Sequence, residues 1–173
     1  MDIVWTTGLL VVLVVALTSA WAAVRAAPFV PTRGRDVSRM LRLAAIKPGE
    51  VVYDLGAGDG RFVIAAAKTY QARATGFEIS LLPWLVAKIR IRLSGLGARA
   101  IVWRDFFAVD LSPADVVVCF LTPRAMTRLA DQFRTQLRPG TRIISYAFSL
   151  PGWTPILKDK PTPKDISVHV YRV

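Results

Sequence analysis

The sequence predicts an α/β fold, a Rossmann-like parallel sheet with helices between its strands and one apolar helix before it. The first observation behind this prediction is a regular alternation of strand-length apolar runs and helical patterns over residues 36–173. The second is the run Val51–Leu55, which leads into a glycine-rich turn and then a helical pattern, Arg61–Lys68. Doubly wound sheets build a ligand site from such a strand, turn and helix.

The first segment of the chain, Ile3–Val24, has no charged residue and is rich in Val, Leu and Ala. As a helix it is about 33 Å long, against a hydrocarbon core of roughly 30 Å. Trp5 and Trp21 lie near its ends, where interfacial aromatic residues are expected. A cleaved signal peptide is the alternative, but no Lys or Arg precedes the apolar run. Residues 1–25 are therefore predicted to be a transmembrane anchor.

Charge determines the expected orientation of this anchor and the expected partners. Asp2 precedes the span, and six basic residues follow it: Arg25, Arg33, Arg35, Arg39, Arg42 and Lys47. The positive-inside rule then places the rest of the chain in the cytoplasm, on a bacterial inner membrane or, alternatively, on an organellar membrane. The net charge of +11 favours an acidic partner, either anionic lipid or nucleic acid. Because basic residues form no stripe interleaved with aromatic ones, a membrane is the expected partner rather than nucleic acid.

The region after the anchor divides into a linker and one folded domain. Residues 26–35 contain prolines and are the predicted linker, and residues 36–173 are the predicted domain. A helix over Asp36–Ala45 opens the domain, because its apolar residues recur at helical spacing. The other predicted elements are strands at Val51–Leu55, Ala72–Phe77, Arg99–Trp103, Asp115–Phe120, Arg142–Phe148 and Ile166–Val173, and helices at Arg61–Lys68, Leu82–Leu93 and Arg124–Leu137. The last strand is expected to form a hairpin with residues 155–158.

The turn after the first strand has the sequence D-L-G-A-G-D-G over residues 54–60. Gly56, Gly58 and Gly60 let the backbone approach a ligand that a side chain would block. The pattern G-x-G-x-G differs from the G-x-G-x-x-G of dinucleotide sites, and the carboxylates of Asp54 and Asp59 disfavour a pyrophosphate. A ligand with a positive centre fits better, and S-adenosylmethionine (SAM), a sulfonium, is such a ligand.

Two further carboxylates follow neighbouring strands. Glu78 comes about 20 residues after the glycine turn, where an acidic residue can accept both ribose hydroxyls of an adenosine. Asp105 follows the third strand and is expected to accept the adenine amino group, with Phe106 packed on the ring. The alternatives, a Glu78 that caps the next helix and a solvated Asp105, remain open. Together with Asp54 these residues fall at the carboxyl ends of strands, where open α/β sheets bind ligands.

Other kinds of chemistry find little support. Cys119 is the only cysteine and lies in an apolar run, so it is predicted to be a core residue. No His and Cys cluster has metal-ligand spacing, and no metal is expected. His169, the single histidine, alternates with apolar residues in the last strand and is interpreted as a strand-face residue rather than a base. Asp115, at the start of the fourth strand, is interpreted as structural.

The combined motifs resemble the class I SAM-dependent methyltransferases, which have a Rossmann-like seven-stranded sheet. More narrowly, the chain resembles the small membrane-anchored lysine methyltransferases of the ATP synthase c-subunit and the adenine nucleotide translocase. The resemblance covers about residues 28–155 and includes Pro28–Thr32, Asp54–Gly60, Gly76–Glu78, Asp105–Phe107 and Phe148–Pro155. The family usually has Tyr where this chain has Phe29, and it lacks an obvious general base, as does this chain.

The resemblance implies methyl transfer from SAM to a lysine, here expected on a membrane protein. Phe29, Phe120 and Trp153 are the candidates to line an apolar slot that strips water from the lysine amine. A SAM-dependent enzyme acting on a small or lipophilic molecule is the first alternative. The second is a SAM-binding module without catalytic activity, which the intact Asp54, Glu78 and glycines disfavour. A nicotinamide-dependent reductase is disfavoured by the glycine pattern.

Overall fold

A computed structural model describes residues 3–97 and 100–173 of the chain. The helices in chain order are α1 (Ile3–Arg25), α2 (Gly34–Ala44), α3 (Arg61–Tyr70), α4 (Leu81–Leu93) and α5 (Pro123–Gln136). The strands are β1 (Val51–Leu55), β2 (Arg73–Glu78), β3 (Ile101–Trp103), β4 (Val116–Cys119), β5 (Arg142–Tyr146), β6 (Leu157–Asp159) and β7 (Val168–Arg172). A short 3₁₀ helix, Phe106–Ala108, follows β3.

The seven strands form one sheet in the order β3-β2-β1-β4-β5-β7-β6. Strands β1 to β5 are parallel, with Asp54 of β1 opposite Gly76 of β2 and Val118 of β4. β7 is antiparallel to both β5 and β6. The α/β class and the hairpin at the end of the chain are therefore confirmed, whereas the sheet is mixed rather than wholly parallel. The strand order reverses beside β1, so the carboxyl ends of β1, β2 and β4 open onto one crevice.

Most element bounds differ from the predicted ones by one or two residues, and three of these differences have a particular cause or consequence. α2 begins at Gly34, inside the predicted linker. β5 ends at Tyr146 because Ala147 has a φ of 74°, a left-handed conformation that a strand does not continue. β3 begins at Ile101, and residue 99, where the predicted strand starts, lies outside the described residues.

Helices cover both faces of the sheet. On one face α2, α3 and α4 pack on side chains such as Val52, Val116 and Ile144. On the other face α5 packs on the alternate residues of the same strands, among them Val117 and Ile143. Strand side chains alternate between faces, so two apolar layers need strands that are apolar at every position. The predicted core position of Cys119 is confirmed, since it is fully buried in the second layer.

Helix α1 is long and apolar enough to cross a membrane by length and composition: its most apolar 18-residue window has a mean hydropathy of 2.2, and none of that window is buried. Its C-terminal turns nevertheless contact the domain. The Leu81 amide at the start of α4 donates to Oγ1 of Thr18 at 3.4 Å. The carbonyl oxygen of Ala26, just after α1, accepts from the amide and the hydroxyl of Thr122 at 3.1 and 2.6 Å. The C-terminal end of α1 is therefore docked at the carboxyl ends of the strands, where the glycine turn also lies.

Candidate active site

The glycine turn forms the floor of a cleft at the carboxyl ends of β1, β2 and β4. Gly56, Gly58 and Gly60 have φ values of 82°, 54° and 75°, which only glycine adopts without strain. A Cβ atom on Gly58 would lie 2.6 Å from the ring of Phe29, so the ring packs directly on the turn's backbone. The turn is held to β2, because the amides of Gly56 and Ala57 both donate to the carbonyl oxygen of Phe77.

The cleft collects most of the residues that the sequence singles out. Its walls include Phe29, Asp54, Gly56, Gly58, Glu78, Phe106 and Phe120. Gly60 lies just behind the wall as the N-cap of α3, where a Cβ atom would meet Ala87 and Ile91 at 3.2 Å. Residues 26–32 also line the cleft, so most of the predicted linker is part of the wall of the site.

Glu78 is a buried carboxylate that organises the backbone around it. Its Oε2 accepts the Gly58 amide at 2.8 Å, and its Oε1 accepts the amides of Ile79 and Ser80 at 2.9 and 2.7 Å. These bonds join the end of β2 to the glycine turn. A carboxylate oxygen has two lone pairs, and the two oxygens together retain acceptor capacity towards the cleft. Both interpretations of Glu78 from sequence are thus compatible, since it can hold the chain and accept ligand hydroxyls.

Asp54 is a buried acid at the end of β1. Burial and, to a lesser degree, the nearby carboxylates of Glu78 and Asp59 raise its pKa to about 7. A cation bound beside Asp54 would favour its ionised form. The site is therefore better matched to a positively charged ligand than to an anion.

Asp59 lines the cleft and is held in ion pairs. Its carboxylate is paired with Arg61 at 2.6 Å and also with Arg90 of α4, which hold its pKa below the usual range against the opposing effect of burial. Its charge is therefore partly compensated by two guanidinium groups. Nη1 of Arg61 also donates to the carbonyl oxygen of Thr32, which ties this part of the cleft wall to the turn. This ion-pair network was not predictable from a local pattern, since Arg90 lies 31 residues from Asp59.

An aromatic wall faces the β4 side of the cleft. Phe120 contacts Tyr146 edge-to-face, with ring centroids 4.9 Å apart. The Tyr146 hydroxyl donates to Oδ2 of Asp36 at 2.9 Å, and burial together with that carboxylate raises the Tyr146 pKa to about 12. Tyr146 is buried and does not itself line the cleft, but its ring packs on Phe120, which does. This support by Tyr146 was not predicted from the sequence. Its position follows from the pairing of β4 with β5, which no local pattern encodes.

Asp105 does not line the cleft. Its Oδ2 lies 2.5 Å from Nε of Arg25, and its Oδ1 accepts the Phe107 amide at 3.0 Å. It borders a second groove, between α1 and the domain, together with Trp21 and Trp103. The next residue, Phe106, does line the cleft. The expected contact of Asp105 with adenine stays a prediction.

Trp153 and His169 also lie outside the cleft walls. Trp153 Nε1 donates to the carbonyl oxygen of Ala130 in α5 at 3.3 Å, and its ring contacts that of Tyr171 edge-to-face.

His169 is buried in β7, as predicted for a strand residue, and burial lowers its pKa. Asp115 accepts the Val51 amide at 2.8 Å, which confirms its structural interpretation. Among the described residues, no group of three or more His, Cys, Asp or Glu side chains could hold a metal ion.

The residues of the cleft fit SAM. The left-handed turn leaves room for close backbone approach, Glu78 offers acceptors for a ribose diol, and Asp54 offers a negative charge to a cation. Phe106 and Ile79 add apolar surface beside Glu78. This combination of a few polar groups in an apolar cleft is typical of cofactor sites.

Comparisons with known proteins identify the family of the chain. A family model described as the ANTKMT methyltransferase domain matches residues 54–157. A protein-lysine N-methyltransferase of Saccharolobus islandicus is 38% identical over 148 residues, which are 83% of this chain and 92% of that protein. The adenine nucleotide translocase lysine N-methyltransferase of Mus musculus is 36% identical over 132 residues, 75% of this chain and 56% of that protein. The mouse lysine N-methyltransferase of the ATP synthase c-subunit is 37% identical over 74% of this chain and 51% of its own length. The chain thus spans about half of each mouse relative.

Solved structures support the fold and the cofactor. An RNA methyltransferase from Salinibacter ruber in complex with S-adenosylhomocysteine has a TM-score of 0.77 and 35% identity, covering 83% of this chain and 93% of that one. A Geobacter sulfurreducens SAM-dependent methyltransferase, also with S-adenosylhomocysteine, has a TM-score of 0.59 at 23% identity, covering 78% and 53%, and supports the fold alone. The resemblance stated from sequence is confirmed. The chain belongs to the ANTKMT methyltransferase domain family and is a SAM-dependent methyltransferase of class I fold.

Proposed function

We propose that SAM binds in the cleft with its cationic end beside Asp54 and its ribose hydroxyls on Glu78. The turn glycines Gly56 and Gly58 let the ligand approach the backbone, and Phe106 packs on the adenine. When bound, SAM supplies an electrophilic methyl group on its sulfonium. The chain's own residues then position the ligand and the acceptor. In an in-line transfer, such positioning supplies a large part of the rate enhancement.

We further propose that the acceptor is a lysine amine of a protein. The named activities of the Saccharolobus and mouse relatives support a lysine. The cleft supports it physically, because Phe29 and Phe120 form apolar walls in the cleft that is proposed to hold the cationic SAM. Burial between such walls disfavours the charged ammonium and lowers the pKa of the lysine, so that the amine reaches the methyl group unprotonated. No base of the chain is required for this step.

We propose that this lysine belongs to a membrane protein and lies close to the cytoplasmic surface. The observation that carries this part is that Ala22, a residue of α1, lines the same cleft as Asp54 and Glu78. If α1 crosses the bilayer, the cleft is held at the membrane surface. Anchoring raises the effective concentration of membrane substrates without any new contact. The names of the mouse relatives, which refer to the adenine nucleotide translocase and the ATP synthase c-subunit, support this class of acceptor.

The test is incubation of the full-length chain in detergent with methyl-labelled SAM and membranes from cells that lack the gene. Label in a protein band is the expected result. Glu78→Ala, which removes acceptors for the ribose, should weaken SAM binding by about 1.5–3 kcal/mol and abolish most of the label. Asp131→Ala, a change on the exposed surface of α5, is the matched control and should leave labelling unchanged.

The fate of the label separates the alternatives. Label only in lipid or small-molecule extracts would favour a SAM-dependent methyltransferase that acts on a small or lipophilic molecule. Label only in RNA would overturn the protein acceptor in favour of the activity named for the Salinibacter ruber structure. Absence of transfer despite SAM binding by calorimetry would support the binding module.

A further inference from the structure

Helix α4 presents apolar side chains on two opposite sides. Pro83, Ala87 and Ile91 are buried on the side that packs on β2 and β3. The opposite side, called here the outer face of α4, carries Leu82, Leu85, Val86, Ile89 and Leu93, which are 39% to 83% exposed. Their spacing of three, one, three and four residues places them along one side of a helix. A helix on a water-exposed surface carries polar residues there, so this face fits an apolar environment.

The outer face lies at the depth of the proposed anchor. The Leu81 amide donates to Thr18 Oγ1, and α1 and α4 pack against each other. Thr18 precedes Arg25 by seven residues, about 10 Å along a helix. α1 has 23 residues and a span needs about 20, so Thr18 cannot lie outside the bilayer when α1 crosses it. The first turn of α4 must then meet the membrane at the same level.

The surroundings of the outer face match a membrane interface. Trp84 and Trp103 are 5.8 Å apart between ring centroids, and the half-exposed Trp103 shares a groove with Trp21 of α1. Lys88 and Arg92 are exposed on α4 beside the apolar stripe, and Nζ of Lys88 lies 4.7 Å from the Trp84 ring. Tryptophans at the interface and basic residues flanking an apolar stripe are typical of helices that lie in the headgroup region.

We propose that the outer face of α4 inserts into the interfacial layer of an anionic bilayer beside α1, as a second membrane attachment of the catalytic domain. The proposal rests on the anchor in the proposed function. Two attachments fix the orientation of the domain, whereas a single helix leaves it free to rotate about its axis. The cleft mouth, at the junction of α1 and α2, is then held at a constant height above the bilayer. The attachment therefore restricts acceptors to lysines near the membrane surface.

The experiment uses full-length chains with one introduced cysteine, coupled to an environment-sensitive maleimide dye. Ile89→Cys reports on the outer face, and Val12→Cys reports on the middle of α1. Ile156→Cys is the matched control, because Ile156 is 61% exposed but precedes β6, at the opposite edge of the sheet from β3. The native Cys119 stays unlabelled, since it is fully buried and its pKa is raised to about 12 by burial. The chains are reconstituted in phosphatidylcholine and phosphatidylglycerol vesicles with brominated acyl chains.

The expected result is a blue-shifted emission that brominated lipid quenches at Val12→Cys and at Ile89→Cys, with no quenching at Ile156→Cys. Quenching at Val12→Cys without quenching at Ile89→Cys would overturn the second attachment and leave the anchor intact. A blue shift at Ile89→Cys without quenching would also overturn it, because a protein would then cover the face. No quenching at Val12→Cys would overturn the anchor and, with it, this proposal. Methyl transfer measured in parallel reports separately on the enzyme.

Discussion

Single residues of the glycine turn have no room for a side chain. Gly58 combines a φ of 54° with a ring carbon of Phe29 2.6 Å from where its Cβ would be. Gly95 shares the left-handed conformation, with a φ of 74°, but no atom lies within 4 Å of its Cβ position. Comparing alanine variants at Gly58 and Gly95 therefore separates the effect of backbone strain from that of a steric clash.

We expect Gly58→Ala to lose most SAM binding, because the new methyl displaces Phe29 or the turn. Gly95→Ala should cost only the strain of a left-handed alanine, about 1 kcal/mol of stability, and should bind SAM normally. Calorimetry and thermal unfolding of both variants in the same detergent provide the comparison. Equal SAM affinities for Gly58→Ala and Gly95→Ala would contradict the assignment of the turn as the ligand floor.

The protonation of Asp54 links pH to stability and to binding. Its pKa of about 7 in the folded chain exceeds the ordinary value of 3.8, so the folded state retains a proton that the unfolded state releases between these values. The ligand-free protein should therefore lose stability as pH rises from about 4 to 7, by roughly 4 kcal/mol at most. Asp54→Asn should remove this slope in thermal unfolding.

Binding of SAM should show the opposite trend with pH. A cation beside Asp54 favours the carboxylate, so below pH 7 binding must release a proton, and affinity falls by up to about tenfold per pH unit. Calorimetry in buffers of different ionisation enthalpy measures that proton directly. An affinity that does not change between pH 6 and 8 would show that the cation is not bound at Asp54.

At the residue scale, the sequence located candidate site residues at the ends of strands, and the structure brings Asp54, Glu78 and Phe106 together in one cleft. Asp54 and Glu78 lie at the carboxyl ends of β1 and β2, and parallel strands that share a switch point bring such ends together. The partner of Asp105 was not predictable in this way. Arg25 is 80 residues away in sequence, and its contact depends on how α1 docks.

At the scale of elements, the segment between α1 and α2 is part of the site. Arg61 of α3 pairs with Asp59 and donates to the carbonyl oxygen of Thr32, so it fastens this segment to the glycine turn. This proline-containing segment shows neither the helical nor the strand spacing of apolar residues, and for that reason the sequence predicted only a linker. Helices and strands with clear periods were predicted to within a few residues.

We expect Arg61→Ala to make the segment between α1 and α2 more mobile and to raise the KM for SAM several-fold. This change corresponds to about 1 kcal/mol of binding free energy, the scale of a partly exposed ion pair. Amides of residues 27–33 should exchange faster with deuterium. Arg73→Ala, which removes an exposed guanidinium bonded to the Gly49 carbonyl oxygen, is the control and should change neither quantity. Unchanged exchange in Arg61→Ala would rule out a fastening role.

For the whole molecule, the α/β class, the seven strands and the apolar N-terminal helix followed from periodicity and resemblance. The contact of α1 with α4 did not, because it joins residues 63 positions apart that no local pattern relates. This contact joins the apolar N-terminal helix to the domain that carries the cleft.

The full chain should remain in membranes after high-salt and alkaline carbonate extraction, because Ile3–Arg25 contains an 18-residue window that is apolar and exposed. Leu9→Arg with Leu13→Arg should make the chain extractable, since each central charge costs about 2.5–3.5 kcal/mol in a span. Ile156→Arg, on an exposed site before β6 and away from the outer face of α4, is the control for added charge. Release of the unaltered chain by salt alone would rule out a spanning helix.

The most direct test of the central claim is mass spectrometry of membrane proteins from cells that lack the gene, complemented with the unaltered chain or with Glu78→Ala. The account predicts a methyl mass increment on a lysine near the cytoplasmic surface of an integral membrane protein. The increment should be present with the unaltered chain and absent with Glu78→Ala at equal expression. The same methylated lysines in all three samples would contradict it.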